Sequence, residues 1–355
     1  MARGPVAPPS GTVGVIANPM SGRDVRRLAA RARRDSPEEK QNQIARAVVG
    51  AAAAGAQRFL LVPDCFRISR GAVESLNVGA RFDFLDVGPL ETKPSDTLRT
   101  AAAMRAAGAD ALLVLGGDGT SRIVATAWPD APMVPMSTGT NNVFPVMQEA
   151  TVAGLAAGLV ATGAVPLALA ATQAKVVRAV FADGATDVAV VDAVVLADDD
   201  VGNLLPFEPG RLRALVLARV VTQAVGLSLL GGVLGPDGFA DDLGAEAGCA
   251  AEGTPGARPL LAAVSPGLFR RAHVTAARRL ALGEVAVVEG PGVVAFDGDR
   301  TRALAPGERC ELRVERSGPF VIDAARALRV AGAKGVFEDR HFHDGLERAT
   351  GLACC

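Results

Sequence analysis

The sequence predicts an α/β fold: a doubly wound parallel sheet, followed by a second, β-rich domain of β-sandwich-like form. Three observations carry this. Strand-like and helix-like patterns alternate through roughly residue 147, as in a parallel sheet with crossover helices. From about residue 174 the texture changes to alternating or continuous apolar runs. A chain of 355 residues also has room for two separate cores. The expected division is residues 1–148, residues 149–325, and a C-terminal segment, 326–355, packing back on the first domain.

Residues 13–17 form the first expected strand, ending at Asn18-Pro19-Met20-Ser21-Gly22. Residues 23–34 are a basic, Ala-rich helical stretch, and 38–54 a second helix that Gly55 terminates. Residues 58–62 read as a strand before the Pro63-Asp64 turn, 82–87 as another, and 95–107 as a helix with Asp96 near its start. The run 111–115 is a buried strand that stops at a glycine pair. A short strand at 133–136 ends at Ser137-Thr138-Gly139-Thr140-Asn141-Asn142. Right-handed crossovers bring the loops 18–22, 116–120 and 137–142 to one edge of the sheet, near one another. In the second domain, strands are expected at 176–181, 186–196, 285–289, 292–296 and 309–314. Residues 212–234 read as a buried helix and loop, and 235–259 as a flexible excursion rich in Gly, Ala and Asp.

Bulk properties narrow the function. A formal net charge of −1, one Trp and no Tyr argue against a nucleic-acid partner. The greasiest region, 212–234, is interrupted by Arg213, Arg219 and Gln223, so no membrane span is expected. No signal-peptide-like stretch precedes Val13. Cys65, Cys249, Cys310, Cys354 and Cys355 are scattered and lack a zinc-like spacing, which points to reduced thiols in a cytoplasmic protein. Assembly into a homo-oligomer is compatible with all of this.

The strongest chemical signal is Gly116-Gly117-Asp118-Gly119-Thr120 directly after a strand. Adjacent glycines let main-chain N–H groups approach a polyphosphate without side chains intervening. Asp118 then stands at the strand's carboxyl end, where open α/β sheets bind ligands, able to hold Mg²⁺ or to accept a proton from an attacking hydroxyl. Thr120 offers a hydroxyl or caps the following helix. Thr138, Gly139, Thr140, Asn141 and Asn142 offer hydroxyls and amides for ribose or phosphate, or an Asn-rich cap. Arg23, Arg26 and Arg27 follow the rigid turn at Asn18, Ser21 and Gly22; a polyphosphate nearby would offset their unfavourable place at a helix start. Asp297-Gly298-Asp299 reads as a hairpin turn; if it reaches the cleft, Asp299 or Asp297 can serve as base or metal-linked carboxylate. His341 and His343 with Asp339 and Asp344 read as a polar tail, and His273 as part of a basic helical stretch.

Together these motifs resemble the superfamily that joins NAD kinases with diacylglycerol- and sphingosine-kinase-like lipid kinases. Residues 18–22 resemble its first loop and 116–120 its signature; Thr92 with Ser95-Asp96-Thr97 is similar to the segment preceding that signature in the lipid-kinase branch. Gly139-Thr140-Asn141-Asn142-Val143-Phe144 resembles that branch's Gly-Thr-x-Asn-Asp-Phe loop, with Val143 where the Asp stands. Asp297-Gly298-Asp299 looks like its Asp-Gly-Glu motif, which puts Asp299 at the position assigned to the base. Closer likeness is to the bacterial acetoin catabolism protein X group of NAD kinase-like proteins, through residues 22–28, 139–145, Gly226-Leu227-Ser228 and 296–300.

The resemblance implies an ATP- and Mg²⁺-dependent kinase acting on a hydroxyl, with NAD the leading acceptor. Asn18, Ser21, Gly22, Gly116, Gly117, Gly119, Thr120, Thr138, Gly139, Thr140, Asn141 and Asn142 would hold the nucleotide. Asp118 and Asp299 compete for the role of base, and Asp118 and Asp297 are the metal candidates. Two alternatives stay open: a nucleotide-binding sensor without turnover, favoured by Val143, and a lipid kinase, for which Leu227, Leu229 and Leu230 are the only apolar cleft candidates.

Overall fold

The computed structural model describes residues 10–22, 36–139, 142–222, 224–234, 241–338 and 342. The helix expected over 23–34, with Arg23, Arg26 and Arg27, lies outside the described residues, as do Thr140, Asn141, Gln223, Asp339, His341, His343, Asp344, Cys354 and Cys355.

The first unit alternates as its sequence pattern requires. Its elements are β1 (Thr12–Ala17), α1 (Pro37–Ala53), β2 (Arg58–Leu61), α2 (Ile68–Val73), β3 (Arg81–Phe84), α3 (Pro94–Ala106), β4 (Ala111–Gly116), α4 (Asp118–Ala127), β5 (Pro132–Ser137), α5 (Ala150–Ala161), the single turn α6 (Leu167–Ala170) and β6 (Ala171–Gln173). Ser36 caps α1 by accepting from the Glu39 N–H, and Pro37 occupies the first turn, where its missing N–H costs nothing. β1, β2, β4 and β5 are apolar on both faces because helices cover both. One face packs on α1 and α5, the other on α3 and α4.

Alanine and glycine set the α1–α5 spacing. A methyl group at Gly154 would lie 1.9 Å from the Ala47 carbonyl oxygen, one at Gly50 2.2 Å from that of Thr151, and one at Gly158 2.5 Å from that of Ala51. The two helices therefore touch backbone to backbone, and part of the chain's small-residue content is structural.

The second unit comprises β7 (Val176–Phe181), β8 (Thr186–Ala189), β9 (Asp192–Leu196), β10 (Leu212–Leu217), β11 (Leu243–Ala250), β12 (Arg258–Ser265), β13 (Leu268–Ala281), β14 (Val285–Glu289), β15 (Gly292–Phe296), β16 (Asp299–Leu304) and β17 (Arg309–Glu315). They form two antiparallel sheets, ordered β12-β13-β11-β10-β9-β15-β16 and β14-β17-β7-β8. Val177 and Leu312 of the small sheet share a core with Val195, Val216 and Phe296 of the large one, so the sheets make a sandwich.

The chain then returns through β18 (Phe320–Ile322) and α7 (Ala324–Ala333). The first sheet runs β3-β2-β1-β4-β5-β18-β6, all parallel except β6. The expected boundary at 148 is displaced: α5 packs on α1, and the chain leaves the first sheet only beyond β6. α7 packs on α5.

Four local expectations differ. The 212–234 region opens with strand β10, not a helix, and closes with 3-10 turns over Leu227–Leu234. His273 lies on strand β13. The 235–259 stretch contains β11 and the start of β12, because alternate small residues such as Ala245, Ala247 and Cys249 fill one buried face. The run 186–196 is two strands: between them the N–H groups of Val190, Val191 and Asp192 turn to the Asp297 carboxylate at 2.8–3.1 Å. Among the described residues no helix is long and apolar enough to cross a membrane.

Candidate active site

The strand order reverses beside β1: β2 lies on one side and β4 on the other. A crevice opens at the carboxyl ends of strands at such a point. The loops after β1 and β4 meet there. The Asn18 N–H donates to the Leu115 carbonyl at 3.0 Å, and Asn18 Nδ2 to Thr120 Oγ1 at 2.9 Å. Asn18 Oδ1 accepts from the N–H groups of Met20 and Ser21, folding the loop back on itself. Gly22 has φ 81°, a left-handed value that favours glycine. The loop after β5 joins them, since Thr138 Oγ1 donates to Ser21 Oγ at 2.8 Å. Asn142 Nδ2 donates to Ser137 Oγ at 2.7 Å.

Side-chain packing favours glycine at the turn. A methyl group on Gly117 would lie 2.8 Å from Asn142 Oδ1, and one on Gly116 2.5 Å from the Thr120 side chain. Gly119 faces the second unit, with Asp299 Oδ2 3.3 Å from where a methyl group would stand. α4 starts at Asp118 without a side-chain cap, so its first N–H groups are available to an anion. These loops line a cleft of about 510 Å³ between the two units, whose walls also include Ser69, Lys93, Thr97, Thr100, Asp297 and Asp299.

Ionic groups hold the loops in place. Lys40 is 1% exposed, and its Nζ donates to the carbonyls of Asn18 (2.9 Å), Pro19 (3.0 Å) and Ser21 (2.6 Å). Asp64 caps α2 by accepting from the N–H groups of Ile68 and Ser69. Asp96 accepts from those of Glu91 and Lys93. Asp118 accepts from those of Val143 and Phe144 at 2.7–3.1 Å. Asp297, at φ 49° in the β15–β16 turn, accepts the three N–H groups between β8 and β9. Asp299 is held differently: Arg122, itself 5% exposed, donates to it at 3.0 Å and to Asp187 at 3.3 Å.

Three carboxylates crowd behind the glycine turn. Burial pushes Asp192 up to about 7, with the Asp118 charge adding to the shift. Burial, then Asp192 and Asp118, also raises Asp297. Asp297 has three N–H donors that favour its charged form, whereas Asp192 Oδ1 is buried without a partner. Of the two, Asp192 is the one whose charge no hydrogen-bond donor supports.

The metal assignment to Asp118 and Asp297 meets a geometric objection. Both carboxylates already accept main-chain N–H groups, and no set of three His, Cys, Asp or Glu among the described residues is arranged to hold an ion. Of the apolar candidates for a lipid site, Leu227 and Leu230 are buried in the core of the large sheet, and the Leu229 side chain lies outside the described residues.

The structure thus brings together Asn18, Ser21, Gly116, Gly117, Asp118, Gly119, Thr120, Thr138, Gly139, Asn142, Asp297 and Asp299. Sequence reading missed Lys40, Arg122 and Asp192. Lys40 carried a signal, for it stands four and seven residues before Ile44 and Ala47 on the buried face of α1. Arg122 and Asp192 gave none, because their partners come from the other unit or from the fold-back around Asp297.

Fold and site define a protein of the NAD kinase-like class: a parallel nucleotide-kinase-type sheet joined to an antiparallel β-rich unit. Residues 13–165 match the ATP-NAD kinase N-terminal domain, and residues 175–317 match the acetoin catabolism protein X C-terminal domain. The chain shares the fold of yeast NADH kinase complexed with NADH (TM-score 0.52, 11% identity, 94% of this chain and 90% of that one). It is 35% identical over 333 residues to acetoin catabolism protein X of Cupriavidus necator, across 90% of this chain and 92% of the relative. The chain belongs to the acetoin catabolism protein X family.

Proposed function

We propose that this protein is an ATP-dependent kinase that transfers a phosphoryl group to the hydroxyl of a small molecule, with NAD the leading acceptor and acetoin catabolism the setting. The observation that carries this is the convergence of three loops, 18–22, 116–120 and 137–142, at the crevice beside β1 and β4. The uncapped start of α4 and the glycines at 116, 117 and 119 suit the phosphates of ATP. The match of residues 13–165 to the ATP-NAD kinase N-terminal domain favours a dinucleotide acceptor. Unpaired Cys65, Cys249 and Cys310 suit a cytoplasmic setting.

Asp299 is the better base. Asp118 spends its oxygens on the Val143 and Phe144 N–H groups, so it organises the loop instead. Asp299 projects from the opposite wall, about a third exposed, and Arg122 fixes its orientation. Its carboxylate would take the acceptor's hydroxyl proton while that oxygen bonds the γ-phosphorus and the bond to the departing ADP oxygen breaks. Magnesium arriving with ATP supplies charge neutralisation for the polyphosphate. Transfer of labelled γ-phosphate to NAD, NADH and other alcohols tests the reading; Asp299→Asn should abolish it with ATP binding intact. A second reading, a nucleotide-binding protein without turnover, draws on the same engagement of Asp118 and predicts binding with no transfer.

A further inference from the structure

The loop between β9 and β10 holds three large apolar side chains in water: Val201, Leu204 and Leu205 are each about half exposed. A slack loop would fold such side chains away, but this one is built to keep its shape. Asp198 (φ 52°) and Gly202 (φ 80°) take left-handed backbone conformations. Asp199 accepts from the Asp200 N–H at 2.8 Å and from Asn203 Nδ2 at 2.6 Å, and Asn203 Oδ1 accepts from the Leu205 N–H at 3.0 Å.

Arg300 is the post to which the loop is fastened. Its side chain and that of Asp199 are each 2% exposed, and Nε and Nη2 donate to Asp199 Oδ2 at 3.3 and 3.2 Å. Nη1 donates to the Leu205 carbonyl at 2.7 Å, and the guanidinium carbon lies 4.4 Å from the centre of the Phe207 ring. The Arg300 carbonyl accepts from the Gly202 N–H at 3.0 Å. A buried ion pair adds little stability over apolar residues of its size, but its hydrogen bonds admit one geometry. Arg300 directly follows Asp299 on β16, so a single residue sets both the loop and the candidate base.

Of the three apolar side chains, Leu204 is the one that reaches the cleft. Among the described residues, the second unit's wall of that cleft is made of Leu204, Ser265, Pro266, Asp297 and Asp299. With a polyphosphate on the glycine turn and the reacting hydroxyl at Asp299, the body of the acceptor lies along this wall. Leu204 offers it no hydrogen bond, only apolar surface. We propose that Leu204 is a specificity-determining residue that packs against an apolar or planar face of the acceptor, such as the heterocycle of a dinucleotide, and that Arg300 is the positioning residue that holds Leu204 beside Asp299. The inference rests on the kinase reading for the roles of the turn and of Asp299.

The test compares full-length wild type with Leu204→Asp, Arg300→Met and the double variant. It measures melting temperature, calorimetric affinity for NAD and for ATP, and transfer of labelled γ-phosphate to NAD. Leu204 is exposed, so Leu204→Asp should melt as wild type does. Its affinity for NAD should fall about tenfold or more, with a matching rise in the KM for NAD and ATP affinity kept. Arg300→Met should weaken NAD binding and also lower kcat; the double variant should bind NAD little worse than Leu204→Asp, because Arg300 acts on affinity through Leu204. Additive losses of affinity in the double variant would make Arg300 merely structural and overturn its positioning role. Unchanged NAD affinity in Leu204→Asp overturns the proposal, whatever Arg300→Met does. A wild type that binds ATP and ignores NAD overturns it too, and leaves the nucleotide site standing. NAD binding that depends on Leu204 without phosphoryl transfer sinks the kinase reading and leaves the Leu204 contact in place.

Discussion

Arg122 Nη2 lies 3.0 Å from Asp299 Oδ2, joining the helix that follows the glycine turn to a hairpin 177 residues further along the chain. The contact bridges the two units where the glycine turn and Asp299 face each other. If Asp299 is the base, Asp299→Asn should lower kcat by about a hundredfold or more with little change in the KM for ATP. Arg122→Gln should lower kcat about tenfold, and a double-mutant cycle should show strong coupling between the two. Additive losses in that cycle would dissociate Arg122 from the role of Asp299.

Lys40 gathers three carbonyls of the 18–22 loop and so holds the loop in place at the cleft wall. Lys40→Met takes that donor from all three carbonyls, of which Asn18's keeps the Ser21 hydroxyl. Stability should fall by roughly 2–4 kcal/mol, read by urea unfolding, and ATP affinity should fall with it. A loop that binds ATP normally in Lys40→Met would not need this anchor.

Asp192 makes stability pH-dependent. Its folded value is raised from 3.8 to about 7, so the native state holds a proton that the unfolded chain releases. The associated stabilisation is complete below the unfolded value and is lost as pH rises through about 7, up to about 4 kcal/mol in all. Asp192→Asn should flatten this slope and raise the melting temperature at pH 8. An unchanged slope between pH 5 and 8 would place the proton elsewhere.

Gly154→Ala tests the close contact of α1 with α5. The new methyl group would sit 1.9 Å from the Ala47 carbonyl oxygen, a backbone atom that can move only if the helix moves. The loss should be roughly 2–4 kcal/mol in chemical denaturation, larger than for Gly332→Ala, where nothing lies within 4 Å. Equal effects at the two positions would mean that the helices are not in contact.

How far the sequence reveals this protein depends on the range of the interactions. β1 to β5 were legible as short runs rich in apolar residues, β4 stopping at the Gly116-Gly117 pair, whereas β6 and β18, three residues each, are too short to carry a pattern. The three loops were legible because each follows a strand, and parallel topology forces strand ends to one edge. β10 and β11 were not, since Leu- and Ala-rich runs suit either helix or strand until a partner strand is known. The interruption between β8 and β9 was hidden for the same reason: its cause, Asp297, lies more than a hundred residues downstream. Asp118 was identified correctly as a residue of the turn, yet its partners, the Val143 and Phe144 N–H groups, could come only from coordinates.

The last parallel strand of the first sheet, β18, is contributed by residues translated after the whole β sandwich. The outgoing and returning segments are bonded to each other, Ala174 N–H to the Pro319 carbonyl at 2.8 Å and Gly318 N–H to the Ala174 carbonyl at 3.0 Å. On the ribosome, the N-terminal half must wait with an unfinished edge beside β5 until the sandwich has emerged. Biosynthesis thus couples maturation of the cleft loops to completion of the partner unit, and truncation anywhere before residue 322 leaves that edge open to mispairing.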